Sequence, residues 1–79
     1  MTSKKIKEII AEMFKIKIEE VVPQKRLVED FGADSLRKVE CIMKIEEVFS
    51  IEISDDEAKR LVTIEDIINY VERKIGVVN

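Results

Sequence analysis

The chain has 79 residues, a formal charge of −3, 46% hydrophobic residues, one cysteine and no histidine. A chain this short buries only about 60% of the surface its unfolded form exposes, so residues 1–79 are read as a single domain around one simple core. The lack of histidine and the lone Cys41 exclude the usual zinc sites and an intrachain disulfide, which fits a reducing, cytoplasmic setting.

The aromatic residues are Phe14, Phe31, Phe49 and Tyr70, so the core draws mainly on Ile, Val, Leu and Met. In the opening MTSKKIKEII, charges fall through the apolar positions, and the stretch reads neither as a secretory signal nor as a membrane span. Residues 1–18 hold five lysines and two glutamates, whereas residues 19–34 hold five acids and two bases. The basic segment is too modest and too poor in stacking aromatics for a nucleic-acid face, and solvated lysines on an amphipathic helix account for it. Ile6, Ile9, Ile10, Met13 and Phe14 recur at three- and four-residue spacing, which predicts a first helix with Thr2 or Ser3 as its cap. From Lys17 to Asp34 the periodicity weakens, and Pro23 breaks any helix there. Leu27, Val28 and Phe31 read as anchors for this long loop, whose length in a small domain suggests function.

A second helix is predicted over SLRKVECIMKIEEVF, residues 35–49, with Asp34 as N-cap. Ser54 with Glu57 forms a capping-box signature before a short helix over DDEAKRL. Thr63 with Asp66 repeats it more weakly before a last helix striped by Ile64, Ile67, Ile68, Val71 and Ile75 and ended by Gly76. Ile51 and Ile53 make a short extended piece, and no alternating strand pattern of useful length appears. The expected fold is all-α, a small four-helix bundle of three longer helices and one short one, with a long loop between helices one and two.

On a helical wheel, Cys41, Ile45 and Val48 fall on one side of the second helix, and Leu36, Val39 and Met43 nearly opposite. Ile42 and Phe49 lie between. One strip is enough to pack a helix, so the second either faces another helix or waits for a partner. Glu40 and Glu47 edge the Leu36 strip on one side and Glu46 on the other, as in a docking surface whose rim steers a basic partner. Ser35 stands near Val39 on the wheel, at the head of the helix, where a serine is usually exposed. The alternative, a central helix with both strips in the core, remains open on periodicity alone.

Ser35 has no histidine to activate it and no G-x-S-x-G elbow around it, so it is not equipped as a nucleophile of its own protein. Asp30-Phe31-Gly32 matches the metal-binding triplet of protein kinases, but the chain is far too short for that fold. The loop also lacks the spaced acids of an EF-hand. Taken alone, D-S-L reads as a capping Asp34 followed by a neutral first-turn serine.

The longer stretch says more. DFGADSL, followed by RKVECIMKIEEVFSIEI and then SDDEAKRLVTIEDIINYV, resembles the acyl carrier proteins of bacterial-type fatty acid synthesis, over about Ile6 to Val71. The resemblance implies that Ser35 receives 4′-phosphopantetheine from coenzyme A, attached by a separate transferase, the holo-carrier-protein synthase, which supplies the base and the magnesium. Asp34 would cap the helix or help present the serine to that metal. The arm's thiol would carry acyl groups as thioesters in a cleft between helices, leaving Cys41 as a small core residue where the family usually has leucine.

By the same resemblance the chain is no enzyme but a monomeric carrier. Its partners would be fatty acid synthesis and acyltransferase enzymes docking at Leu36, Val39, Glu40, Met43, Glu46 and Glu47, without nucleic acid or stable membrane insertion. It departs from the family at Arg37 and Lys38, where an aspartate and a small polar residue are common, and Lys44 adds a third base. Arg37 and Lys44 fall together away from the apolar strip, so they either leave docking through Glu40 and Glu47 intact, the reading preferred here, or the bases mark a dedicated enzyme set with a differently charged face. A carrier for a polyketide, lipid-modification or aminoacyl pathway is the alternative, and an unmodified helical interaction module is a second.

Overall fold

Three capping motifs and three left-handed turns set where the helices start and stop. The computed structural model describes residues 2–76, in which α1 spans Thr2–Phe14, α2 Ser35–Phe49, α3 Asp55–Arg60 and α4 Ile64–Ile75. No strand is present among these residues; an isolated antiparallel bridge pairs Arg26 with Thr63. The all-α, four-helix expectation holds, with α3 as the short helix.

Asp34, Ser54 and Thr63 are the N-caps of α2, α3 and α4, and the last two form full capping boxes with Glu57 and Asp66. Each satisfies backbone donors that a helix start otherwise leaves open. The expected cap of α1 differs: Thr2 and Ser3 are already helical. α1 ends at a left-handed Lys15, where the Ile16 amide bonds back to the Ala11 carbonyl at 3.0 Å. α2 ends likewise at Ser50, with Ile51 bonding Glu46 at 3.1 Å, and Gly76 closes α4 in the same conformation.

α1 packs against both α2 and α4, burying Ile6 and Ile10 with Cys41, Ile45, Ile64, Ile67 and Val71. No buried residue among those described is polar or charged apart from the thiol. The long loop holds a feature the periodicity missed, a 3-10 turn at Ile18–Glu20, followed by a buried Val21. Leu27 anchors the loop and Phe31 stacks on Phe14 with ring centroids 5.9 Å apart, but Val28 is exposed and anchors nothing.

Backbone hydrogen bonds sew the loop to the α3–α4 connection and the first turn of α4: Leu27 N to Val62 O, Ile64 N to Lys25 O and Glu65 N to Pro23 O, all at 3.0 Å. Arg26 and Asp30 close the next turn, with each backbone amide reaching the other residue's oxygen. The segment leading to α2 is thus held on the core despite lacking regular structure.

α3 is different. It has no buried residue, and its fixed points are the flanking Ile53 and Leu61. The linker before it is strapped to α2 by the Glu46 carboxylate, which accepts the Ile53 amide at 2.7 Å.

Candidate functional site

Gly32, Ala33 and Asp34 bring the chain to the head of α2. Gly32 has φ of +68°, a turn geometry that glycine adopts without the steric cost other residues meet. Ala33 is buried beneath it. Asp34 is extended, and its Oδ1 accepts the Arg37 amide at 2.8 Å while its carbonyl accepts the Lys38 amide at 3.0 Å. Ser35 and Leu36 follow as exposed first-turn residues whose own amides have no intrahelical acceptor. The Ser35 hydroxyl is therefore open to solvent at the positive end of the helix dipole.

Arg37 braces this head against α1. Its Nη1 donates to the Met13 carbonyl at 3.1 Å, its guanidinium lies 5.7 Å from the centroid of the Phe14 ring, and its Nε reaches Glu40 at 3.6 Å. The carbonyls at a helix C-terminus lack intrahelical donors, so a guanidinium there is well placed. Lys44 similarly turns onto Glu47, at 3.4 Å. The two bases do not stand clear of the acidic rim; they pair with its carboxylates. Glu46, on the other edge, is engaged with the Ile53 amide.

The two strips of α2 separate cleanly in space. Cys41 and Ile45 are buried, whereas Leu36, Val39 and Met43 are 68%, 52% and 60% exposed. Val48, grouped by the wheel with the buried side, is partly exposed instead. Burial pushes the Cys41 thiol up to about 11, so it stays protonated and inert near neutrality.

From Ser35 a groove of about 470 Å³ runs between α2 and α3, lined by apolar Val39, Ile42, Met43, Ile53 and Ala58. Ser35, Val39, Met43 and Glu46 thus share one concavity, while Leu36, Glu40 and Glu47 lie outside its lining. Lys38 also lines it, a placement its three-residue spacing from Ser35 foreshadows. Ile53 and Ala58 reach it from outside α2, and nothing local in the sequence marks them.

A family model described as "Phosphopantetheine attachment site" matches residues 4–71. Acyl carrier proteins of Desulforapulum autotrophicum, Wolinella succinogenes and Thermosynechococcus vestitus are 49%, 46% and 42% identical to the chain, covering 89%, 85% and 91% of it and 92%, 88% and 89% of the relatives. The chain belongs to the acyl carrier protein family. Among solved structures, the acyl carrier protein of Enterococcus faecalis superposes with a TM-score of 0.81 at 29% identity, over 92% of each chain. A candidate acyl carrier protein of Mycobacterium tuberculosis gives 0.86 at 26% identity, over 92% of this chain and 97% of that one.

Acyl carrier proteins are carriers rather than enzymes, and they hold a covalent phosphopantetheine. The geometry fits such a group: an accessible hydroxyl, unpaired helix-head amides suited to an anion, and an adjoining apolar-lined groove. No helix among the described residues is long and apolar enough to cross a membrane.

Proposed function

We propose that Ser35 carries the 4′-phosphopantetheine and that the chain holds acyl intermediates on it as thioesters for fatty acid synthesis enzymes. The observation that carries this reading is the exposed Ser35 hydroxyl at the capped head of α2, at the mouth of the apolar-lined groove. In the attachment step the Ser35 oxygen forms a bond to the phosphorus bearing the pantetheine, the bond to the departing adenosine bisphosphate breaks, and the serine proton passes to a base of the transferase. This chain contributes the placement: Asp34 organises the first turn, and the helix end stabilises the resulting phosphodiester. Once loaded, the arm supplies a thiol that carries the acyl group as a thioester. The groove then offers the acyl chain an apolar surface.

The strip of Leu36, Val39 and Met43 is the contact area for partner enzymes, with Glu40, Glu46 and Glu47 around it. We read the carrier as cytoplasmic and monomeric. Incubation with coenzyme A, magnesium and a broad-specificity phosphopantetheinyl transferase should raise the intact mass by one phosphopantetheine, and Ser35→Ala should abolish the gain. Unmodified native protein, or a modified Ser35→Ala variant, overturns the assignment.

A carrier for a different acyl pathway is the second reading. It is favoured by the pairing of Glu40 with Arg37 and Glu47 with Lys44, which reduces the negative field that would draw a basic partner. Charge reversal separates the two. Loss of loading by fatty acid synthesis enzymes in Glu40→Lys and Glu47→Lys supports the first reading; loss only in Arg37→Glu and Lys38→Glu supports the second.

A further inference from the structure

We propose that Lys38 is a positioning residue for the arm, drawing the phosphodiester on Ser35 toward the α2–α3 groove. The inference rests on the assignment of the arm to Ser35. Lys38 lies three residues beyond Ser35 on α2, and both line the same groove. Side chains at this spacing rise from one helix face about 5–6 Å apart at their Cβ atoms, within reach of a lysine ammonium.

The three bases of α2 differ in what they already bind. Arg37 is held by Glu40, the Met13 carbonyl and the Phe14 ring, and Lys44 by Glu47. Lys38 has no carboxylate within salt-bridge distance among the described residues, and it is half-buried where Arg37 and Lys44 are exposed. Its stem thus covers apolar lining while the ammonium stays available at the rim.

The groove's acids do not take up that charge. Glu46 is spent on the Ile53 amide, and Asp55, in the first turn of α3, makes no ion pair among the described residues. A phosphodiester on Ser35 places one fixed negative charge beside this free cation. Attraction then biases the arm's first bonds toward the groove lined by Ile42 and Ala58 and away from solvent over Leu36. The effect is directional, so Lys38 acts on where the arm lies rather than on whether it is attached.

The test compares amide chemical shifts of apo and holo protein, with the phosphorus resonance of the arm recorded alongside. In the native protein, attachment should shift the amides of Ile42, Ile53 and Ala58 as well as those next to Ser35. Lys38→Gln should cut these groove shifts by more than half and move the phosphorus line, while Lys38→Arg should retain both. Lys44→Gln, which removes an already paired base, should match the native pattern, and apo spectra verify that each variant is folded. Full modification of Lys38→Gln with native groove shifts overturns the role of Lys38 alone. Absence of any mass gain on native protein overturns the assignment of Ser35, and this inference with it.

Discussion

Asp34 shows how much one side chain decides at the head of α2. Its carboxylate accepts the Arg37 amide at 2.8 Å, so Asp34→Ala removes a capping bond worth about 1 kcal/mol. In a domain of this size the melting temperature should fall by roughly 4–8 °C. Asn at the same position keeps an acceptor and should recover most of the loss in a thermal melt. Slower modification of both variants would point to a part for the negative charge in presenting Ser35.

Cys41 makes an opposite case, a reactive residue type silenced by its surroundings. Its thiol is raised by burial from an ordinary 9.0 to about 11. Apo protein should therefore react slowly with a disulfide reagent at neutral pH until it is denatured, whereas holo protein should show one fast thiol, that of the arm. The folded state holds the Cys41 proton more tightly than the unfolded chain does. Its contribution to stability is complete below pH 9 and is lost as pH rises through about 11, an effect of roughly 3 kcal/mol at most.

At the scale of elements, the capping boxes make helix starts sensitive to acid. Backbone amides of Ser54 and Thr63 hold the Glu57 and Asp66 carboxylates below their ordinary values of 4.5 and 3.8. Depressed values mean stability that is present above those pH values and lost as pH falls through and below them. Glu57→Gln and Asp66→Asn should flatten the acid limb of a plot of melting temperature against pH. Behind the first box, the Tyr70 hydroxyl is enclosed, faces Glu57 without reaching hydrogen-bond geometry, and is pushed up to about 12, first by burial and then by that carboxylate.

α3 itself is held from its ends. Glu46→Ala should free the Ile53 amide from its 2.7 Å bond and cost about 1.5–3 kcal/mol, the range for a hydrogen bond to a charged group. Amide exchange at Ile53 and through α3 should accelerate while α1 changes little. An α1 that loosens equally would mean that the strap supports the whole bundle.

For the whole molecule, the division is between a closed core and an open edge. α1, α2 and α4 bury one face each in a shared aliphatic core, while α3 closes the groove without burying a side chain of its own. On the proposed reading this edge is where apolar cargo enters, since α3 contributes no buried side chain there. Each methylene moved from water into the groove is worth about 0.8 kcal/mol. On the proposed reading, melting temperature should climb with acyl chain length on the holo protein and level off once the groove is full. A melting temperature independent of chain length would place the cargo in solvent.

Local signals in the sequence determined most of the helix map. A capping side chain reaches only to the third residue beyond it, and an amphipathic stripe repeats within one helix, so Asp34, Ser54, Thr63 and Gly76 were readable where they stand. The head of α2 and its exposed serine were legible for the same reason. What tertiary structure alone decided lies between distant segments: Arg37 reaching the Met13 carbonyl, Glu46 reaching Ile53, Val21 going inside and Val28 staying out. It also settled which strip of α2 is covered, because a helical wheel gives the angle between two apolar faces but not which one another helix will occupy. That depends on the whole chain's closing around α1, and no window of adjacent residues contains it.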